Sequence, residues 1–210
     1  MKMTQEELNK IIENHKHWLE EDCIGWKDMR ANLPCAGLRG LDLQGVDLSY
    51  AQLGYSDLEG ANLMRTNLRG ANLEGANLYK ANLGDANLTN ANLVEANLEL
   101  ANLEFANLKS TNLVNASLEG AILREAFLLN ADLNSVNLIE VDLSYADLTD
   151  VNLIDANIYE SNLEGAILID ANLIGAKIID TNLEGTDLRG AILKGTELEN
   201  NTKKPNIERE

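Results

Sequence analysis

The sequence predicts an all-β solenoid closed at its N-terminal end by a short amphipathic helix. Three observations lead there. Leucine recurs every five residues over most of the chain, a small residue stands two places before each of these leucines, and glycine gathers at the fifth place of the unit. From Leu33 to Leu198 the series runs through 34 consecutive pentapeptides without insertion, with isoleucine replacing leucine at Ile158 and Ile178.

An α-helix cannot use this period, because five residues turn a helix by about 140° and scatter the leucines around its axis. In a strand, residues two apart share a face. The small residue (22 Ala, seven Ser or Thr, four Val and Leu41) and the leucine therefore point inward together. The residue between them, Asn eighteen times and Asp seven times, points outward, where its side chain can hydrogen-bond backbone at the corners. The last two residues of each unit must turn the corner. Eleven of the fifteen glycines stand at the fifth place, as expected where a turn demands positive φ.

Short strands joined by corners and repeated without loops make a coil that stacks on itself at the strand spacing of about 4.8 Å. Aromatic residues are only 4% of the chain, so its core must be built from small, uniform pieces. Each buried leucine contributes roughly 1.5–3 kcal/mol. The period leaves the number of sides open: outward apolar residues recur at spacing 20 (Val94/Val114, Ile154/Ile174) and at spacing 15 (Ile139/Ile154/Ile169).

Units such as Ala71-Asn72-Leu73-Glu74-Gly75 resemble the repeat of the pentapeptide-repeat family, and the likeness covers residues 31–200. The resemblance implies a right-handed quadrilateral β-helix with four units per coil. Its 34 pentapeptides would make about 8.5 coils, roughly 40 Å long at the strand spacing. The expected organisation is a capping helix and connecting turn over 1–30, the repeat β-helix over 31–200, and a polar, disordered tail over 201–210.

The capping helix is expected from Thr4 to about Glu21, with Thr4 and Glu7 forming a capping box. Leu8, Ile11, Ile12, His15, Trp18 and Leu19 follow the spacing of one helical face, and a solenoid's first coil exposes edges and apolar interior that this face would cover. Trp26, on the connecting turn, is expected to be a second plug. His15 and His17 diverge on a helix and cannot clamp one metal, so His15 is read as part of the packing. No such lid is legible at the other end. There either Lys194, Glu197 and Glu199 guard the last coil or a second copy covers it; some relatives dimerise through a C-terminal helix that this sequence lacks.

The formal net charge is −17, a balance that repels nucleic acid and anionic lipid and favours basic protein partners. Direct nucleic-acid and membrane binding are not expected. No apolar run approaches the roughly 18 residues of a membrane span, and the N-terminal residues lack a secretory apolar stretch, so a cytoplasmic location is expected. Cys23 and Cys35 are expected to be reduced thiols. No histidine lies in the repeats, the glycines follow the corners rather than a phosphate loop, and no metal-ligand spacing occurs. The chain is therefore expected to be non-enzymatic, without catalytic residues, metal or cofactor.

Function is expected on the outer faces. With the four sides that the resemblance implies, sixteen of the 25 repeat-region acids fall on two neighbouring faces. Asp57, Glu59, Glu99, Glu119, Glu140, Glu160 and Asp180 mark the first, and Asp42, Asp85, Glu104, Glu125, Asp142, Glu164 and Glu184 the second. Outward apolar residues gather in the C-terminal half and suggest a homodimer, through Phe127, Leu129, Ile154 and Ile174 along a side or Leu193 and Leu198 at the end. The leading expectation is a protein-binding or scaffold module acting through these faces. The alternative, carried by the resemblance, is a DNA mimic that binds a type II topoisomerase such as a gyrase; a purely structural protein without a specific partner is the second alternative.

Overall fold

The computed structural model describes residues 3–21 and 23–199; the tail expected over 201–210 lies outside the described residues. Helix α1 runs Gln5–Glu20, a 3₁₀ turn follows at Trp26–Asp28, and the pentapeptides then continue to the end of the described chain. Along the repeats, parallel bridges join residues 20 apart, from Asn32↔Gln52 to Asn172↔Ile192. Twenty residues are four pentapeptides, so the register gives each coil four sides, a choice the period alone left open. Among the described residues only Asn157–Tyr159 (β1) and Lys177–Ile179 (β2) are long enough to count as strands, paired in parallel in the same register.

The unit Ala101–Phe105 shows why the pattern repeats. Ala101 N–H donates to Leu98 O across the corner at 3.0 Å, and Asn102 N–H donates to Ala81 O in the preceding coil at 3.0 Å. Leu103 and Phe105 N–H donate to Ile122 O at 2.7 Å and Arg124 O at 3.0 Å in the following coil. The remaining donor, Glu104 N–H, is taken by Asn102 Oδ1 at 3.0 Å. All five N–H groups of the unit are thus satisfied, as a closely packed backbone requires. The second residue is Asn or Asp because its side chain supplies the acceptor that no neighbouring coil can reach. Its amide also links coils: Asn87 Nδ2 bonds Asn67 Oδ1 and Asn92 Nδ2 bonds Asn72 Oδ1, both at 3.2 Å.

Leucine and alanine fill the interior as expected: Leu38 to Leu173 stack in ladders at essentially zero exposure, beside alanines such as Ala61, Ala86 and Ala106. At the small position Thr66 and Thr111 Oγ1 donate inside the wall to Leu43 O and Leu88 O at 2.7 and 2.8 Å, whereas the buried Ser56 hydroxyl has no partner.

The corners have the positive φ expected at the fifth-place glycines, and the requirement extends beyond glycine. Every fifth residue from Cys35 to Gly195 has positive φ whether or not it is glycine, and most are not. The turn demands the left-handed conformation and tolerates its cost of roughly 1 kcal/mol or more per non-glycine residue. Several corner glycines have a second reason. A side chain at a corner leans onto the corner one coil on, so a Cβ on Gly165 would stand 2.6 Å from the ring of Tyr145, and one on Gly70 2.7 Å from the ring of Tyr50. Gly60 has open space around it.

Two stability series test this architecture by chemical denaturation. Leu103→Ala should lower the unfolding free energy by about 2–5 kcal/mol, and Asn102→Ala by about 1–2 kcal/mol through its lost bonds; the reverse ranking contradicts the inward–outward assignment. Gly165→Ala, which must displace Tyr145, should destabilise more than Gly60→Ala, and equal effects would show that φ alone places these glycines.

Candidate functional site

The candidate site is the outer wall together with its two ends. At the N-terminal end the chain closes its own edge. Thr4 and Glu7 form the expected capping box, and α1 ends at Glu21 in the left-handed conformation. Leu8 is fully buried in the solenoid core, with Met3, Ile11 and Ile12 packed against it. Several backbone groups on the strand edge of the first coil are matched. Met3 N–H donates to Gly37 O at 2.9 Å. The Gln5 amide imitates a neighbouring strand, donating to Asp42 O at 2.8 Å and accepting from Asp42 N–H at 2.9 Å. The Arg30 guanidinium donates to Tyr50 O. Met3 and Gln5 were not legible as edge-closing residues, because their role depends on which backbone groups the first coil leaves open.

His15 is the centre of this lid. It is fully buried, its Nδ1 accepts from Ala31 N–H at 3.1 Å, and its Nε2 lies 3.1 Å from Ser49 O. Accepting at Nδ1 requires the neutral ring with its proton on Nε2, which then donates to Ser49. Trp18 stacks on His15 with ring centroids 5.4 Å apart and meets Tyr50 edge-on at 6.4 Å. Leu19 is half-buried beside Ile12 and Val46. Trp26 does not act as the expected second plug: it stays partly exposed on the 3₁₀ turn with Lys27 over its ring, while Met3 occupies the core edge.

The acids are where the four-sided register puts them. Asp57, Glu59, Glu99, Glu104 and Glu164 are half-buried along the wall, while Asp85, Glu119, Glu125, Glu140, Glu160, Asp180 and Glu184 stand exposed. Asp42 is exposed at the lid. Arginines on these faces are engaged by the faces' own acids: Arg39 with Glu59, Arg65 with Asp85 at 3.4 Å and Arg124 with Asp142 at 3.1 Å. Burial pushes the Asp142 carboxyl up, but bonds from Ser144 and Arg124 outweigh it and hold the group below its ordinary value. Glu140, Glu160 and Asp180 form a column at one corner, each one coil beyond the last. Tyr55 and Tyr145 donate to Glu74 and Glu164 at 3.0 and 2.8 Å, bonds that raise both phenols.

Of the residues expected to meet a second copy, Phe127 and Ile174 are exposed, and Leu129, Ile154 and Leu193 are half-buried. Leu198 is buried within its own chain, which removes it from an end-to-end contact. The last coil is guarded by hydrogen bonds more than by bare charge: Glu197 Oε2 accepts from Ile178 N–H at 3.0 Å and Glu199 Oε2 from Gly195 N–H at 2.8 Å. Cys23 and Cys35 are free thiols. Among the described residues no helix is long and apolar enough to cross a membrane.

The pentapeptide-repeats family profile matches residues 47–85, 81–120, 101–138, 111–150, 131–168 and 166–200 in eight copies. The chain belongs to the pentapeptide-repeat family, whose members fold as right-handed quadrilateral β-helices and are generally non-enzymatic structural or binding modules. Among solved structures it is similar to HetL of the cyanobacterium Nostoc sp. strain PCC 7120, a protein involved in heterocyst differentiation regulation. The identity there is 35% over 80% of this chain and 85% of that one, with a TM-score of 0.39. It is similar to Rfr23 of the cyanobacterium Cyanothece 51142 at 42% identity over 45% of this chain and 62% of that one, TM-score 0.39. QnrB1, a plasmid-mediated fluoroquinolone resistance protein, is 18% identical over 81% of this chain and 92% of that one, TM-score 0.45. No curated protein sequence matches the chain.

The lid makes a pH prediction. Burial holds the His15 pKa below the ordinary 6.5, against the opposing effects of Ser49 and Asp47. The unfolded chain therefore takes up the proton first as pH falls, so this part of the stability is complete above 6.5 and is lost progressively below it. Urea midpoints should fall between pH 7.5 and pH 5, about the ordinary histidine value, and His15→Gln should flatten the change. An equal fall in that variant would remove His15 as the cause.

Proposed function

We propose that the chain is a protein-binding module: a rigid β-helix of about eight and a half coils, from 34 units at four per coil, that engages a partner through its outer wall. The observation that carries this reading is the concentration of acids on two neighbouring faces, and within it the column Glu140, Glu160 and Asp180. Carboxylates one strand spacing apart repel by roughly 1 kcal/mol each even in water. A wall built for stability alone would alternate or neutralise them, as the pairs Arg39–Glu59 and Arg65–Asp85 do elsewhere. Stability forgone at one surface column is what a binding surface for a basic partner entails.

The self-association expected from the C-terminal half is a secondary contact in this reading, because −17 on each copy opposes a second copy of the same chain. The two acidic faces also favour a second reading, that the rod imitates duplex DNA and engages a type II topoisomerase. In that case excess protein should inhibit a gyrase supercoiling assay at low salt and release it as salt rises; unaffected supercoiling at low salt removes the second reading.

The main reading is tested with the triple variant Glu140→Gln, Glu160→Gln, Asp180→Asn. Its melting temperature should equal or exceed that of the parent, since repulsion is relieved. A partner captured from the native cell at about 0.1 M salt should be retained by the parent and lost both from the variant and at roughly 0.5 M salt, as screening of surface charge requires. Capture that ignores both changes contradicts binding through the acidic wall, and no capture by either protein contradicts the binding module itself.

A further inference from the structure

Both phenylalanines of the chain, Phe105 and Phe127, lie on the outside of the solenoid rather than in its core. Phe105 is 43% exposed, Phe127 53% and Ile122 42%. The backbone brings them together around one corner. Phe105 N–H donates to Arg124 O in the next coil at 3.0 Å, with Ile122 on the face before that corner and Phe127 on the face after it. Leu100, 50% exposed, leans over Gly120 beside Ile122.

Ile122 and Phe127 occupy the outward second place of the repeat, where Asn or Asp supplies the acceptor for the fourth-residue N–H. Here that bond is lost: among the described residues, neither Arg124 N–H nor Leu129 N–H has an acceptor. The amide ladder stops as well, since Asn102 Nδ2 bonds Asn82 Oδ1 at 3.3 Å but Ile122 continues nothing. These adjacent units give up the bond that the Asn and Asp units make, as do the units of Ser117, Ile167 and Ile192, but here two large apolar side chains take the place on neighbouring faces and stay in water. A local rule broken without any compensation inside the fold points to a contact outside it.

The surroundings say what kind of contact. Asp142 follows Ile122 and Asp147 follows Phe127 in the next coil, and Glu104 and Glu125 stand at the corner between them. Arg124 is already held by Asp142 at 3.1 Å, and Glu104 and Glu125 are close enough to hold its guanidinium more firmly charged. Lys109 lies at the far corner of Phe127's face. The rim is thus four carboxylates against two bases around an apolar and aromatic centre. A second copy would bring the same acidic rim and repel.

We propose that Phe105, Ile122 and Phe127, with Leu100, are the apolar anchor of a docking surface for a basic amphipathic element of a partner protein, its apolar face on the aromatic corner and its Lys or Arg residues on Glu104, Glu125, Asp142 and Asp147. This rests on the protein-binding reading and centres the contact on the next corner round the coil from the column Glu140–Asp180, which it adjoins at Leu100 and Asp142.

The test uses the full chain and the double variant Ile122→Asn, Phe127→Asn, which restores the repeat and leaves the net charge unchanged. The probes are a short synthetic amphipathic helix of Leu and Lys and its Leu and Glu counterpart, titrated calorimetrically. The expected result is a melting temperature equal to or above the parent's, Leu/Lys binding weakened about tenfold or more, and no binding of the Leu/Glu peptide to either protein. Equal Leu/Lys binding to both proteins reduces the contact to general charge attraction and overturns the proposal. A melting temperature several degrees lower makes the apolar residues part of the wall's stability and overturns it as well, and so does concentration-dependent dimerisation of the parent that the variant loses, which would make a second copy the occupant. A cellular partner captured equally by parent and double variant overturns this surface while leaving the binding module intact.

Discussion

The bond from the fourth-residue N–H to the Asn or Asp side chain two places earlier fills a position that no neighbouring coil can reach. The other four donors of the unit find backbone acceptors, three in the coils on either side and one across the corner. This division explains the composition. Leucine and alanine are set by the interior, positive φ by the corner, and asparagine by a single donor that would otherwise rely on water. Because each unit repeats the same bonds, the wall is stiff and its outward side chains stand at fixed spacing, which suits a surface that must be presented without rearrangement.

Much of this was legible because a five-residue period admits one periodic backbone and excludes the helix. The inward leucines, the outward asparagines and the helix with its capping box are local consequences of sequence. What was not legible depends on the relation between coils. The four-sided register is a long-range property, carried by bridges between residues 20 apart. Glycine at the corners looked like a φ requirement alone, yet Tyr50 over Gly70 and Tyr145 over Gly165 show a steric reason set by the neighbouring coil. Trp26 looked like a plug because it is large and apolar, but Met3 takes that place. The proposed docking surface was the least legible part. Phe105, Ile122 and Phe127 are separated along the chain, and only the turn of the corner brings them together.

The two ends are treated differently. At the first coil Gln5, Arg30 and His15 use side-chain groups to imitate the missing strand, and Leu8 fills the core. At the last described coil Glu197 and Glu199 accept edge N–H groups with their carboxylates. An exposed strand edge is a template for unwanted pairing, and among the described residues side chains at both ends take up edge groups. The outer wall is thereby left as the surface on which a partner can be selected.

Amide hydrogen exchange across the repeats tests the central claim most directly. If the Asn side chain is the specific acceptor for the fourth-residue N–H, then Glu74 and Glu104 amides, capped by Asn72 and Asn102 at 3.1 and 3.0 Å, should be protected. Arg124 and Leu129 amides, which follow Ile122 and Phe127, should exchange roughly fivefold or more faster, the scale of one lost hydrogen bond. Leu103 and Phe105 amides, bonded to the next coil, should be among the slowest. Arg124 and Leu129 amides as well protected as that of Glu104 would contradict the account, since the wall would then hold its fourth donor without the side chain.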